Sequence, residues 1–191
     1  IIYQHDGIKI TAFLVNHYPV EPAYGYRIDS GEQSIVISGD TSFSKNLIKH
    51  AKGVDLLIHE VAAANSELLA GNPRLQKVIS YHTTPKQAGQ IFTATEPKAA
   101  VFNHVLLFGI SERGVLEATR ESFNGDVRMG HDLMKIGVGD ELIFYWLNTK
   151  FLVLGMPVLC AGQLLSGDHI LLFASPEIHI VLIEVEIGLL L

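Results

Sequence analysis

The chain has 191 residues, which is enough for one domain with a sizeable hydrophobic core. Its residues are 48% hydrophobic and 18% charged, and the net charge is −6 with neutral histidines, so the basic excess typical of nucleic-acid-binding surfaces is lacking. The single cysteine, Cys160, excludes an internal disulfide framework and a multi-cysteine zinc site, and is typical of a small buried residue.

The first residues, IIYQHDGIKI, contain neither an initiator Met nor the basic and apolar regions of a signal peptide. We therefore expect the chain to begin inside a longer protein, already entering a strand. The N-terminal residues do not indicate the cellular compartment, although a cytoplasmic location is favoured.

Strands dominate the predictions for the first 40 residues. Residues 8–15 are rich in Ile, Thr, Phe and Val, as strands are, whereas residues 17–25 carry two prolines and a glycine and predict a loop. The stretch YGYRIDSGEQSIVISGD (24–40) predicts a hairpin with its turn at Ser30-Gly31.

Helices and strands alternate in the middle of the chain. In the second of the three predicted helices, Thr84 is a plausible N-cap and Pro85 occupies the first helical position. Residues 62–80 are polar and rich in alanine and carry no clear prediction. The three predicted helices span residues 42–53, 83–97 and 110–123, and strands are predicted at 54–60, 99–107 and 132–147. This alternation predicts an α/β fold whose strands are buried on both faces.

The composition changes at about Asn148, so we predict a domain over residues 1–147 and an apolar tail over 148–191. No run in the tail reaches about 18 apolar residues without Pro or charge, so no membrane span is expected. IHIVLIEVEI (178–187) alternates like an edge strand. An added β-element, an interface strand and an aberrant read-through all remain open for this tail.

Four strand-like runs each end on a side chain suited to metal or acid chemistry. These residues are His17, Asp40, the pair His59-Glu60, and His104. Zinc accepts imidazole nitrogen and carboxylate oxygen, and a shared carboxylate can bridge two zinc ions. A binuclear site is therefore one hypothesis for these strand ends.

Structural roles are also open for the same residues. Asp40 in SGDT could cap a helix within a turn, and Glu60 could form a buried ion pair with His59. His82, which precedes Thr83-Thr84-Pro85, could be a residue at a helix start.

Five motifs, in order and spacing, resemble the metallo-β-lactamase fold hydrolases. The similarity is to the branch that holds ribonuclease Z and arylsulfatases of the AtsA type, and it covers about residues 1–145. The motifs are VNHYPVEPAYGYRID (15–29), VISGDT (36–41), DLLIHEV (55–61), YHTTPKQAG (81–89) and AVFNHV (100–105). The resemblance implies the C-terminal half of an αββα sandwich that binds two zinc ions.

The resemblance also implies a role for each motif residue. His17 would bind the first zinc ion, Asp40 would bridge both ions, and His104 would bind the second. His82 would be the general acid toward the leaving group, oriented by Glu60. His59 is expected to be structural, and five further histidines match no motif: His5, His50, His131, His169 and His179.

The family's main metal motif, HxHxDH, does not occur in this sequence. Neither QHDG (4–7) nor SGDH (166–169) is expected to replace it. Each ion would then keep two protein ligands, with Asp40 shared, which is too few for tight catalytic zinc. We therefore expect the chain to be the C-terminal half of a longer hydrolase and to be inactive alone.

The resemblance leaves the substrate open. Ribonuclease Z members generally insert a long tRNA-binding arm between the residues that correspond to His17 and Asp40, whereas only 23 positions separate these two here. Together with the acidic charge, this spacing favours small esters such as aryl sulfates or phosphodiesters and makes nucleic acid an unexpected partner. The alternatives are a ribonuclease Z-like tRNA 3′-processing endonuclease and a non-catalytic interaction module. Self-association through the tail or an uncovered sandwich face is a further expectation.

Overall fold

A seven-stranded sheet, with its strands in chain order, forms the framework of the first unit of the chain, Ile1–Met129. The computed structural model describes residues 1–146, 158–160, 169–175 and 177–183. The seven strands are β1 (Tyr3–His5), β2 (Ile8–Val15), β3 (Ala23–Ser30), β4 (Gln33–Ile37), β5 (Leu56–Ala64), β6 (Ala99–Phe108) and β7 (Asp126–Met129).

The sheet changes from antiparallel to parallel at β4. β1 to β4 form an antiparallel meander, whereas β4 to β7 run parallel because helices connect them. Ser30 pairs with Gln33, so the hairpin turn is Gly31-Glu32, one residue later than predicted. Gly31 has φ +56, a left-handed conformation that glycine adopts without strain.

Five helices occupy the connections of the first unit, and each begins at a polar N-cap. In α4, Thr84 and Gln87 form a reciprocal capping box and Pro85 occupies the first helical position, as predicted. The helices are α1 (Lys45–Ala51), α2 (Ser66–Ala70), α3 (Pro73–Tyr81), α4 (Pro85–Thr95) and α5 (Glu112–Arg120). The predicted helices at 42–53, 83–97 and 110–123 are therefore confirmed as α1, α4 and α5.

One hydrophobic core joins α1, α4 and α5 to the sheet. Phe92 of α4 lies at its centre, with ring centroids 5.5 Å from both Phe102 and Phe123. Full burial of such a side chain contributes roughly 1.5–3 kcal/mol. The alternate residues of β5 that face away from this core, Ile58 among them, are buried as well. Burial on both faces explains the continuous apolar run of β5.

The second unit, Gly130–Leu191, contains a separate five-stranded sheet. Its strands are β8 (Met134–Val138), β9 (Leu142–Trp146), β10 (Val158–Cys160), β11 (His169–Ser175) and β12 (Glu177–Ile183). β12 pairs with both β11 and β8, so the predicted edge strand is internal. The predicted boundary at 147/148 stays a prediction, while the β-content expected in the tail is confirmed over the described strands.

The α/β prediction is confirmed, and the differences concern individual elements. Residues 62–80 contain the end of β5 and helices α2 and α3, and β7 was not predicted. No helix within the described residues combines the length and the apolar character needed to cross a membrane.

Candidate active site

His17 and His104 approach the same carboxylate oxygen of Asp40. The Nε2 atom of His17 lies 3.9 Å from Oδ2 of Asp40, and Nε2 of His104 lies 3.7 Å from it. Both distances are too long for hydrogen bonds. The three side chains are only slightly exposed, and they converge from separate parts of the sheet edge.

His17 follows β2, and a hydrogen bond to the backbone of Tyr81 fixes its ring. Nδ1 of His17 lies 3.1 Å from the carbonyl oxygen of Tyr81, so Nδ1 carries the proton and donates it. Nε2, which faces Asp40, is then left with a free lone pair. This is the arrangement by which backbone carbonyls orient metal-binding imidazoles.

Thr41 ties the loop that carries Asp40 to the end of β2. The backbone N–H of Asn16 donates to Oγ1 of Thr41 at 3.1 Å, and the N–H of Ser42 donates to the carbonyl of Asn16 at 2.7 Å. These bonds hold Asp40 opposite His17. Thr41 is fully buried and was missed by the sequence analysis, although it lies inside the SGDT motif.

Gly39 gives the chain its direction immediately before Asp40. Its φ is +58, and a Cβ at this position would overlap the carbonyl oxygen of Tyr24. Only glycine meets both conditions without strain. The position of the Asp40 carboxylate therefore depends on the backbone conformation of Gly39.

His104 is the extra residue of a β-bulge in β6. Glu60 pairs with Asn103 and Val61 pairs with Val105, so His104 has no ladder partner on β5. Its φ is +44, an uncommon conformation for a residue with a side chain. Bulges of this kind redirect a side chain next to a functional site, and here the side chain reaches Asp40.

Glu60 and His82 form the second part of the site. Nδ1 of His82 lies 3.2 Å from Oε2 of Glu60. Oε1 of Glu60 accepts from the backbone N–H of Thr83 at 2.6 Å and from that of Thr41 at 3.4 Å. Oγ1 of Thr83 donates to the carbonyl of Thr41 at 2.6 Å, which closes the network.

The position of His82 links the two parts of the site. Its ring centroid lies 5.0 Å from that of His17 and 5.8 Å from that of His104. Burial raises the pKa of the Glu60 carboxyl, while the hydrogen bond and charge of His82 and the N–H of Thr83 act in the opposite direction. A hydrogen-bonded imidazole thus lies next to both histidines that face Asp40.

Three further histidines of the first unit, His5, His50 and His59, have other contacts. His59 is fully buried, and no ion pair between His59 and Glu60 is found among the described residues. His5 lies next to Asp6 on β1, and the ring of His50 stacks on Phe13 at 4.3 Å. The side chains of His169 and His179 are not described.

The donor chemistry fits zinc, but the number of donors does not complete a site. Two imidazole nitrogens and one carboxylate oxygen are suitable ligands. Among the described residues, however, no group of three His, Cys, Asp or Glu side chains has a geometry that would hold an ion. His17, Asp40 and His104 therefore converge without forming a complete metal site among the described residues.

Comparison with known proteins identifies the family of the chain. Residues 3–105, more than half of the chain, match the family described as "Beta-lactamase superfamily domain". A protein named ribonuclease Z from Mycobacterium avium is 31% identical over 140 residues, covering 72% of this chain and 50% of its own length. A second ribonuclease Z, from Mycolicibacterium paratuberculosis, is 29% identical over the same shares.

A solved structure shows the same fold. The metallo-beta-lactamase fold protein YhfI from Bacillus subtilis aligns with a TM-score of 0.55 and 22% identity, over 67% of this chain and 48% of its own. The chain spans about half the length of the curated relatives that it matches. On the strength of the matched residues and the fold, the chain belongs to the beta-lactamase superfamily.

Proposed function

We propose that this chain provides one part of the active site of a metal-dependent hydrolase that cleaves phosphodiester or related ester bonds. The observation that carries this proposal is the position of His82, hydrogen-bonded to Glu60, next to both His17 and His104. In hydrolysis of such an ester, a nucleophile attacks phosphorus or sulfur and an acid protonates the oxygen that leaves, so metal ligands and an acid are needed side by side.

His17, Asp40 and His104 would hold the metal through Nε2, the carboxylate and Nε2. When bound, zinc supplies Lewis acidity and a nucleophile at neutral pH. Nδ1 of His82 donates to the Glu60 carboxylate, so Nε2 is available to carry the proton that is transferred. As water adds to phosphorus or sulfur and the bond to the leaving oxygen breaks, the proton on Nε2 of His82 passes to that oxygen, while Nδ1 keeps its hydrogen bond to Glu60.

The incomplete donor set limits what these residues can do by themselves. Asp40 is shared, so each ion would receive only two ligands from the three described side chains. Further donors must complete the coordination before binding is tight. We therefore predict no zinc-dependent turnover by the 191-residue chain alone.

Small esters are the first substrate candidate. The turn between β3 and β4 is only two residues long, so no arm extends from the hairpin that connects His17 with Asp40. The net charge of −6 also provides no broad cationic surface for a polyanion. Aryl sulfates and small phosphodiesters fit these two features.

Precursor tRNA is the second candidate, because the curated relatives reported above are named ribonuclease Z. The expectation that nucleic acid is excluded as a partner therefore has no support from the comparisons. Processing at the tRNA 3′ end would use the same His82 and Glu60, since it too cleaves a phosphodiester.

The deciding experiment compares substrates in the complete reading frame that contains residues 1–191. Bis-(p-nitrophenyl) phosphate, p-nitrophenyl sulfate and a precursor tRNA are assayed with zinc, beside an Asp40→Asn variant. Zinc-dependent turnover that Asp40→Asn abolishes supports the proposal, and the preferred substrate selects between the candidates. Turnover that is equal in both proteins, or a complete lack of turnover with all three substrates, contradicts it. The latter result would favour the non-catalytic interaction module.

A further inference from the structure

His59 is a buried histidine that the proposed chemistry does not use. Because side chains alternate along a strand, His59 faces the helix side of the sheet while the neighbouring Glu60 carboxylate faces the opposite side. The ring of Phe92 meets that of His59 edge-on, with centroids 5.8 Å apart. The surroundings of His59 are therefore those of a hydrophobic residue.

One of the two ring nitrogens makes a short hydrogen bond. Nδ1 of His59 lies 2.7 Å from the backbone carbonyl oxygen of Glu60. A carbonyl only accepts, so Nδ1 must carry the proton and Nε2 must be the unprotonated nitrogen. Nε2 is buried and has no hydrogen-bond partner among the described residues. A leucine would avoid this unpaired atom, so the residue calls for a reason other than packing.

The carbonyl that His59 holds belongs to the peptide at which the sheet changes register. The β5–β6 ladder shifts between Glu60 and Val61, and the residue inserted on the β6 side is His104. This peptide group is therefore attached to the residue that carries the Glu60 carboxylate. It also lies beside the bulge that directs His104 toward Asp40. A rotation of this peptide would displace both.

We propose that His59 is a positioning residue, whose Nδ1–H fixes the Glu60–Val61 peptide and thereby aligns the Glu60–His82 pair with the bulge at His104. The proposal rests on the proposed function for its catalytic consequence, but its geometric content can be tested without turnover. It also distinguishes the two ring nitrogens, since only Nδ1 takes part.

Nuclear magnetic resonance of the full 191-residue chain tests the geometry. Nitrogen-15 shifts of the His59 ring should show protonated Nδ1 and bare Nε2. The backbone amide proton of Thr83, which donates to Glu60, should resonate far downfield because its bond is short and charge-assisted. That amide proton then reports whether Glu60 keeps its place.

Two substitutions separate the hydrogen bond from packing. In His59→Asn, the side-chain amide nitrogen can occupy the place of Nδ1, so the Thr83 resonance should remain downfield. In His59→Leu, the donor is lost and the resonance should move upfield by several line widths. His59→Gln, which moves the donor toward the place of Nε2, should behave like the leucine variant and serves if that variant does not fold.

The outcomes distinguish this proposal from the proposed function. An Nε2–H tautomer, or a Thr83 resonance unchanged in both His59→Leu and His59→Gln, overturns the positioning role. In the complete reading frame, kcat should fall about 10- to 100-fold in His59→Leu with rescue by asparagine. If the amide shifts follow the expected pattern but the unsubstituted protein hydrolyses nothing, the geometry of His59 stands and the proposed function fails.

Discussion

The backbone N–H of Thr83 donates to Oε1 of Glu60 at 2.6 Å, directly after the residue that contacts the other oxygen of the same carboxylate. One buried side chain therefore fixes the link between α3 and α4 through two consecutive residues. Because Oε1 is taken by backbone donors, Oε2 is the oxygen left for His82. Because His82 meets Oε2 through Nδ1, Nε2 is the nitrogen left to face a substrate.

Replacing Glu60 tests the stabilising part of this network. Glu60→Gln keeps the shape but replaces one acceptor oxygen with an NH₂ donor, so the bond from either Thr83 or His82 is lost. We expect the free energy of unfolding to fall by about 1–3 kcal/mol, the usual cost of leaving a buried polar group without its partner. Urea denaturation measures the change. Glu117→Gln, at an exposed position on α5, is the matched control and should change it by less than about 0.5 kcal/mol. Equal effects would contradict the role of Glu60.

Replacing His82 tests its role as the general acid. With an alkyl phosphodiester, whose leaving oxygen needs a proton, His82→Ala in the complete reading frame should lower kcat by about 10²- to 10⁴-fold. With a p-nitrophenyl ester the loss should be much smaller, because that leaving group departs without protonation. His5→Ala on β1 is the control. A loss that is the same for both leaving groups would show that His82 acts in another way.

Replacing Gly39 tests how Asp40 is positioned. Gly39→Ala introduces a Cβ that overlaps the Tyr24 carbonyl and places alanine at φ +58. Gly53→Ala is matched in backbone conformation, with φ +67, but has no atom within 4 Å of the new Cβ. The left-handed conformation alone costs roughly 1–2 kcal/mol. We therefore expect denaturation to show that loss for Gly53→Ala and a clearly larger one for Gly39→Ala.

Acid stability should depend on His59. Burial lowers the pKa of His59 to about 4, with the hydrogen bond to the Glu60 carbonyl opposing the shift. Between pH of about 6.5 and about 4 the unfolded chain binds a proton here that the folded chain does not. Stability is therefore lost as the pH falls through this range, by up to about 3 kcal/mol.

His59→Asn should flatten this part of the stability profile. The raised pKa of Glu60 makes its own contribution fall as the pH rises, which is the opposite sign. Since Glu60 is present in both proteins, the difference between their urea-denaturation profiles isolates His59. Parallel profiles from pH 7 to pH 4 would contradict a neutral buried imidazole.

Local sequence signals predicted those parts of the fold that depend on neighbouring residues. Thr84, Pro85 and Gln87 determine the start of α4 through contacts within four residues, so the sequence predicts it well. Residues 62–80 carried mixed signals because β5 extends to Ala64 without alternation, since both of its faces are buried. The internal position of β12 could not be read from its alternation, because pairing on both sides depends on distant strands.

The sequence supplied the candidate site residues, which stay a prediction, but not the geometry that brings them together. Strand ends and motif resemblance identified His17, Asp40 and His104, and the structure brings their side chains together. The bulge that turns His104 toward Asp40 is a register shift between two strands, which no local pattern encodes. Thr41 was missed because its hydroxyl and its backbone N–H bond to residues that are distant in sequence, Asn16 and Glu60.

The most direct test is a zinc titration of the 191-residue chain followed by the nitrogen-15 resonances of its histidine rings. If His17, Asp40 and His104 act as joint ligands, the Nε2 resonances of His17 and His104 should shift together and only at high zinc concentration. Asp40→Asn should weaken both shifts, while those of His5 and His59 stay unchanged. Shifts of His17 and His104 that differ in their zinc dependence, or that persist undiminished in Asp40→Asn, would contradict a shared site.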